Sequence, residues 1–289
     1  METLLAVKNL SVEVRSGTEG KRLLRDVSFE LRKGSCLGIL GESGSGKSLT
    51  CKSVMGLLGP EYRVSGTVAY KGRDLLSLRR EEMRALRGSG IAMILQNPMT
   101  AFDPLLSIGS QMVETVRQHG PFSPAEARRR SLDALTLMGL RHPDDVFRQY
   151  AHQLSGGMLQ RVMIGLALLL GPDLIIADEP TTALDTVTQD EILKEFDRVR
   201  RERRCSVLFI SHDLGVLARI ADDLLVMDRG EVIEQGDLRR ICSAPRSRRT
   251  GHLFDTRLML LDAFRKATTP REERSRHEEP LLAPAATGF

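Results

Sequence analysis

The 289-residue chain contains no tryptophan, and aromatic residues make up only 4% of it. Readers of single-stranded nucleic acid stack bases on rings set among basic side chains, so this scarcity argues against that class. Cysteine is sparse as well: Cys36, Cys51, Cys205 and Cys242 stand far apart with no C-x-x-C pair. That spacing indicates neither a zinc nor an iron–sulfur ligand set and fits thiols kept reduced in a cytoplasm. Long hydrophobic runs are missing. The most apolar stretch, residues 162–170, is about half the length that spans a bilayer and ends at Gly171-Pro172-Asp173. Residues 1–14 alternate like a strand and lack the charged start and apolar centre of a secretory leader. There is no internal repeat and no sustained heptad pattern.

Neither sign of charge dominates, with 42 basic against 38 acidic residues and a net charge of +4. The surplus lies in short runs such as Arg128-Arg129-Arg130, Arg200-Arg201 and Arg203-Arg204. A mildly basic surface suits nucleic acid, an anionic membrane face or plain solvation; without interleaved aromatics, solvated helix faces are the favoured reading. What is present is enough apolar content, 41%, for one large domain or two small ones.

Residues 4–14 and 22–31 read as two strands about a turn-rich 16–20, and 66–70 continues the β character. Residues 91–95 form a compact buried strand ending at Gln96-Asn97-Pro98. Helical spacing then takes over at 108–119, 125–138, 144–150 and from Gly157 onward, an insertion of about 60 residues. Strand-like runs return at 174–177, 206–210 and 224–227, separated by helices near 187–203 and 214–221, the alternation of parallel β/α units. The pattern fades after 242: a helix is expected at 253–264 and disorder over the last 20 or so residues.

Gly41-Glu42-Ser43-Gly44-Ser45-Gly46-Lys47-Ser48 fits the phosphate-loop pattern G-x-x-x-x-G-K-[ST] at every fixed position. Its context fits too, because 35–40 reads as an apolar strand and 48–58 as a helix, so Leu49 lies in the first turn. Glycines let backbone N–H groups face an anion, and the helix N-terminus adds partial positive charge. Lys47 supplies a full charge for the outer phosphates, and the Ser48 hydroxyl can ligate magnesium. A nucleoside triphosphate is the implied ligand.

Asp178 and Glu179 directly follow the apolar strand 174–177. Beside a phosphate loop, Asp178 would hold magnesium through its water shell and Glu179 would polarise the attacking water; alone, the pair could be a solvated strand end. Ser155-Gly156-Gly157 opens a helix and is a second N-terminus suited to an anion.

The stretch Leu154-Ser155-Gly156-Gly157-Met158-Leu159-Gln160-Arg161 resembles the signature motif of the ATP-binding-cassette ATPases. Gln96 matches the Q-loop, Ala183-Leu184-Asp185 the D-loop and His212 the switch histidine, in the order of that family. The resemblance covers roughly residues 4–236. It implies an α/β fold: a P-loop NTPase cassette with a RecA-like parallel sheet core, a small antiparallel β subdomain and an inserted α-helical subdomain. The expected divisions are 1–96, 97–170, 171–242 and an extension at 243–289, with one cassette domain over about 4–250.

By the same resemblance, ATP and Mg²⁺ are the cofactors. Residues Gly41 to Leu49 hold the phosphates, Ser48, Gln96 and Asp178 the magnesium, and Glu179, His212 and Gln96 serve the chemistry. Ser155, Gly156 and Gly157 close over the ATP of a partner subunit, with Asp185 nearby. One position departs: where relatives place an aromatic to stack on adenine, this chain has Val14 or Arg15, so stacking is expected to be weak or made by Arg15.

A single cassette without fused membrane helices, coiled coil or zinc module resembles the separate ATPase subunit of a prokaryotic importer. Gln96-Asn97-Pro98-Met99-Thr100-Ala101-Phe102-Asp103-Pro104 and the stretch from Ala177 to Asp185 look like the peptide and nickel uptake group. The Gly-Gly-Met-Leu-Gln-Arg ending of the signature is most similar to its nickel and metal–opine importers, and Ala244-Pro245-Arg246-Ser247 matches poorly the His-Pro-Tyr-Thr segment of peptide importers. The implied partners are a second ATPase subunit, the same or different, two transmembrane permeases and an extracytoplasmic solute-binding protein. The place is the cytoplasmic side of the inner membrane, peripherally bound, with no nucleic acid. No His, Cys and Asp cluster has nickel-site spacing, as suits a motor whose partners choose the solute.

Overall fold

The computed structural model describes residues 2–16, 19–182 and 184–255. The chain runs β1 (Thr3–Ser16), β2 (Glu19–Arg32), β3 (Cys36–Gly41), α1 (Lys47–Val54), β4 (Tyr62–Tyr70), β5 (Arg73–Asp74), α2 (Arg80–Leu86) and β6 (Ile91–Ile94). Four helices follow: α3 (Ile108–Gln118), α4 (Pro124–Leu137), α5 (Pro143–Arg148) and α6 (Gly156–Leu170). Then come β7 (Leu174–Asp178), α7 (Thr186–Arg203), β8 (Ser206–Ile210), α8 (Leu214–Ile220), β9 (Asp223–Asp228), β10 (Glu231–Asp237) and α9 (Leu238–Ser243). These belong to one unit, Met1–Pro245; the second, Arg246–Phe289, is described only to residue 255 and is helical over 248–255. The rest of the expected 253–264 helix, the tail expected to be disordered and Ala183 of the D-loop lie outside the described residues.

Alternation of buried and exposed side chains builds the first sheet, of order β2-β1-β4-β5 and antiparallel throughout. In β1, Leu5, Val7, Leu10 and Val12 are buried. The three-residue step from Val7 to Leu10 would turn Leu10 outward, but a bulge with Asn9 at φ 49° restores its inward direction.

The second sheet has the order β10-β9-β3-β8-β7-β6 and is parallel from β9 to β6. Every residue of β3, β7 and β8 is buried, which explains why these strands read as continuous apolar runs. One apolar core joins the sheets, with Leu5, Leu10 and Val27 of the first meeting Ile39, Ile176 and Leu208 of the second.

The helical segment packs α3 on α4 and α5, and α4 on α6. The apolar run lies in α6, which is largely buried and ends at Gly171 in the left-handed region, φ 63°. Among the described residues no helix is long and apolar enough to cross a membrane. Four of these elements were not foreseen: β5, α2, α9 and the antiparallel edge strand β10. Strand β10 folds back through Arg229 and Gly230, both at positive φ (48° and 82°), so that Glu231 pairs with Asp228.

Candidate functional site

Strand order sets the site. With β3, β8, β7 and β6 side by side and parallel, the loops leaving their carboxyl ends line one edge of the sheet. Those loops carry, in the same order, Gly41 to Ser48, His212, Asp178 with Glu179, and Gln96. The structure thus brings together residues that are up to 171 positions apart, Gly41 to His212.

The glycines at two loop positions are required by space. A side chain on Gly41 would begin 2.5 Å from the Met227 carbonyl oxygen. Gly46, at φ 102°, caps α1, and a Cβ there would lie 2.5 Å from Leu24 Cδ2. Lys47 is 6% exposed, and its ammonium donates to the carbonyls of Gly41 (3.0 Å) and Glu42 (2.9 Å), which folds the loop around it. Leu49 packs its side chain against the core, leaving only its backbone for any ligand. Glu42, Ser43 and Gly44 are exposed. The Ser45 hydroxyl is buried and has no hydrogen-bond partner among the described residues, the state expected of a polar group whose partner is a ligand.

Ser48 Oγ donates to Asp178 Oδ1 at 2.9 Å, tying the phosphate loop to the end of β7. Asp178 is only 3% exposed. Burial pushes its carboxyl above the usual range; the Ser48 hydrogen bond opposes this and the Glu179 carboxylate adds to it. A cation at this oxygen pair would relieve that cost, so hydroxyl and carboxylate together fit magnesium by donor chemistry. Among the described residues no group of three or more His, Cys, Asp and Glu could hold a metal, so the fit rests on mixed oxygen donors.

Glu179 follows with φ 47°, the left-handed region that non-glycine residues rarely adopt. Its N–H donates to the Ile210 carbonyl (3.1 Å), which locks the turn to β8. All side-chain hydrogen bonds described for its carboxylate fall on Oε2: from Gln96 Nε2 at 3.3 Å, from Thr182 Oγ1 at 3.2 Å and with His212 Nδ1 at 3.1 Å. No side-chain hydrogen bond is described for Oε1. Thr182 is the participant that sequence reasoning missed; it follows Glu179 by three residues, but its contact depends on a turn that only the fold reveals.

Ser155 and Asp185 stand on other elements. Ser155 Oγ accepts from Met158 N (3.3 Å) and so caps α6, with Gly156 exposed and open space where its side chain would be. Gly157 is half-buried. Asp185 caps α7 by accepting from Val187 N (3.1 Å) and Thr188 N (3.0 Å), and the Thr188 N–H in particular holds its carboxyl below the usual range. Val14 is half-buried in register between Lys21 and Tyr62, and Arg15 is exposed.

Comparison with known proteins agrees with this geometry. A family model described as ABC transporter matches residues 24–182. The metal-staphylopine import system ATP-binding protein CntD of Staphylococcus aureus is 43% identical over 263 residues, covering 91% of this chain and 96% of that one. The dipeptide transport ATP-binding protein DppD of Bacillus subtilis is 44% identical over 248 residues, 85% of this chain and 74% of its own. Among solved structures, the ATP-binding cassette MJ0796, a dimer in a post-hydrolysis state with ADP and Pi, superposes with a TM-score of 0.74 at 28% identity, over 81% of this chain and 99% of that one. Phosphate loop, acidic strand end, signature helix and parallel sheet therefore have one explanation: the chain belongs to the ABC transporter family, as an ATP-binding, ATP-hydrolysing subunit of its peptide and metal importers.

Proposed function

We propose that this chain powers nickel or metal-chelate uptake across the cytoplasmic membrane. The observation that carries the catalytic part is the convergence of Gln96 and His212 on Glu179 Oε2, beside the Ser48–Asp178 contact. Gly41 to Leu49 hold the ATP phosphates, with Lys47 exchanging its loop carbonyls for phosphate oxygens. Ser48, Asp178 and Gln96 would hold magnesium, which when bound neutralises phosphate charge. Glu179 polarises the attacking water through Oε1, while His212 keeps the carboxylate in place and reaches the outer phosphate. Arg15 contributes what adenine contact position 14 lacks.

Ser155, Gly156 and Gly157 close over ATP held by a second ATPase subunit, alike or different, and Asp185 lies in the segment that meets it. This deployment makes each copy half of a site. Residues 97–170 form the helical subdomain, set between core portions 1–96 and 171–242, with 243–289 an extension. Met99 (47% exposed), Leu105 (82%) and Leu106 (42%) give the surface after Gln96 an apolar character suited to a permease. Two permeases, an extracytoplasmic binding protein and peripheral attachment to the inner face of the membrane complete the assembly. ATP closes the two subunits and hydrolysis reopens them, shifting the permeases between states.

The signature ending Met158-Leu159-Gln160-Arg161 and the metal-staphylopine relative favour a metal cargo; the dipeptide relative supports peptide uptake as the second reading. Uptake by proteoliposomes holding the whole assembly separates them. Radiolabelled nickel, free or chelated, should accumulate with ATP, whereas accumulation of labelled dipeptide alone would give the second reading the place of the first.

A further inference from the structure

We infer that Thr182 is a positioning residue for ATP hydrolysis: its hydroxyl fixes the rotamer of Glu179. The inference rests on the reading of Glu179 as the group that polarises water. Thr182 Oγ1 lies 3.2 Å from Glu179 Oε2 and 3.2 Å from the Glu179 carbonyl oxygen. The Thr182 N–H also points at that carbonyl, at 3.4 Å. One side chain therefore faces both the backbone and the carboxylate of the same glutamate, and its single proton can serve either.

Its position differs from those of the other two contacts. Gln96 and His212 reach Oε2 from the ends of β6 and β8, whereas Thr182 belongs to the loop that leaves β7 with Glu179 itself. It alone references the carboxylate to its own turn, where Glu179 already holds the uncommon φ of 47°. A glutamate has three rotatable bonds, and a hydrogen bond to its charged end removes much of that freedom. Thr182 is also exposed, so core packing does not account for a hydroxyl there. The same short segment continues to Asp185, the cap of α7, and Leu184 N donates back to the Thr181 carbonyl at 3.1 Å.

The test uses the full chain in its assembled complex, with ATP as the probe. Thr182→Val keeps the shape and removes the hydroxyl; Thr182→Ser keeps the hydroxyl. Valine should lower kcat about tenfold with KM for ATP unchanged, the scale of one charge-assisted hydrogen bond in a solvated cleft. Serine should stay within about twofold of the parent, on the same scale. In a Glu179→Gln background, valine should have no further effect, because the carboxylate it positions is gone. Thr182→Ala, which introduces no new methyl contact, should repeat the valine result if valine disturbs folding. Unchanged kcat in both the valine and alanine variants, or a serine variant as impaired as valine, would overturn the inference. Wild-type turnover by Glu179→Gln would instead remove the reading of Glu179, which is a separate outcome.

Discussion

His212 Nδ1 lies 3.1 Å from Glu179 Oε2, an oxygen that Gln96 Nε2 also reaches at 3.3 Å. Two strands that flank β7 thus hold one carboxylate from both sides. Replacing His212 with alanine should cut ATP turnover in the assembled complex by about tenfold or more while ATP binding stays within about twofold. Steady-state kinetics and equilibrium binding check the pair of values; a parallel rise in KM and Kd would show that the ring serves affinity instead.

Asp178 provides a stability prediction with a definite sign. Burial raises its folded-state carboxyl above the unfolded value, so the stability tied to its proton is complete below the ordinary aspartate range and is lost as pH rises through the raised value. Asp178→Asn should match the parent in stability at acid pH and exceed it at neutral pH in the absence of nucleotide. The gain should be about 2–4 °C in Tm, the scale of a single buried-charge effect in a domain of this size. Thermal unfolding across pH reads it, and the same variant should lose its magnesium-dependent ATP turnover.

Gly46→Ala should damage both folding and nucleotide binding. A Cβ would meet Leu24 Cδ2 at 2.5 Å in a residue held at φ 102°. A loss of about 2 kcal/mol is expected, or a Tm lower by about 4–8 °C. Binding of ATP should no longer raise Tm.

Val14→Phe should tighten nucleotide binding. Position 14 sits on the hairpin in register with Lys21 and Tyr62, and it is half-buried. Stacking on a base gives about 1–3 kcal/mol, so Kd for ATP should fall by at least about fivefold. Isothermal titration at fixed salt measures it, and unchanged affinity would mean that the base lies elsewhere.

Much of this was legible because the chemistry restricts the residues. A phosphate loop admits no side chain at Gly41 or Gly46, so its pattern is rigid, and buried parallel strands such as Leu174–Asp178 must be apolar on both faces. β10 escaped notice for the opposite reason. As an edge strand it keeps polar residues such as Gln235, and its turn uses Arg229 at φ 48°, where asparagine or glycine would have signalled a hairpin. α2 is short and mostly charged, with only Met83 buried, so it carries little periodicity. Thr182 was invisible because a hydroxyl three residues after a glutamate means nothing until Glu179 turns back toward it. The proposal that Ser155 meets a nucleotide rests on resemblance to the family alone, since in the structure the serine caps its own helix.

The measurement that bears most directly on the account is ATP turnover by Glu179→Gln in the assembled complex. Turnover should fall by at least about a hundredfold, the scale of losing a positioned base. ATP binding should persist, and two ATPase subunits should remain closed on ATP, since opening requires hydrolysis. Turnover near the wild-type rate would contradict the assignment of Glu179 and the mechanism built on it.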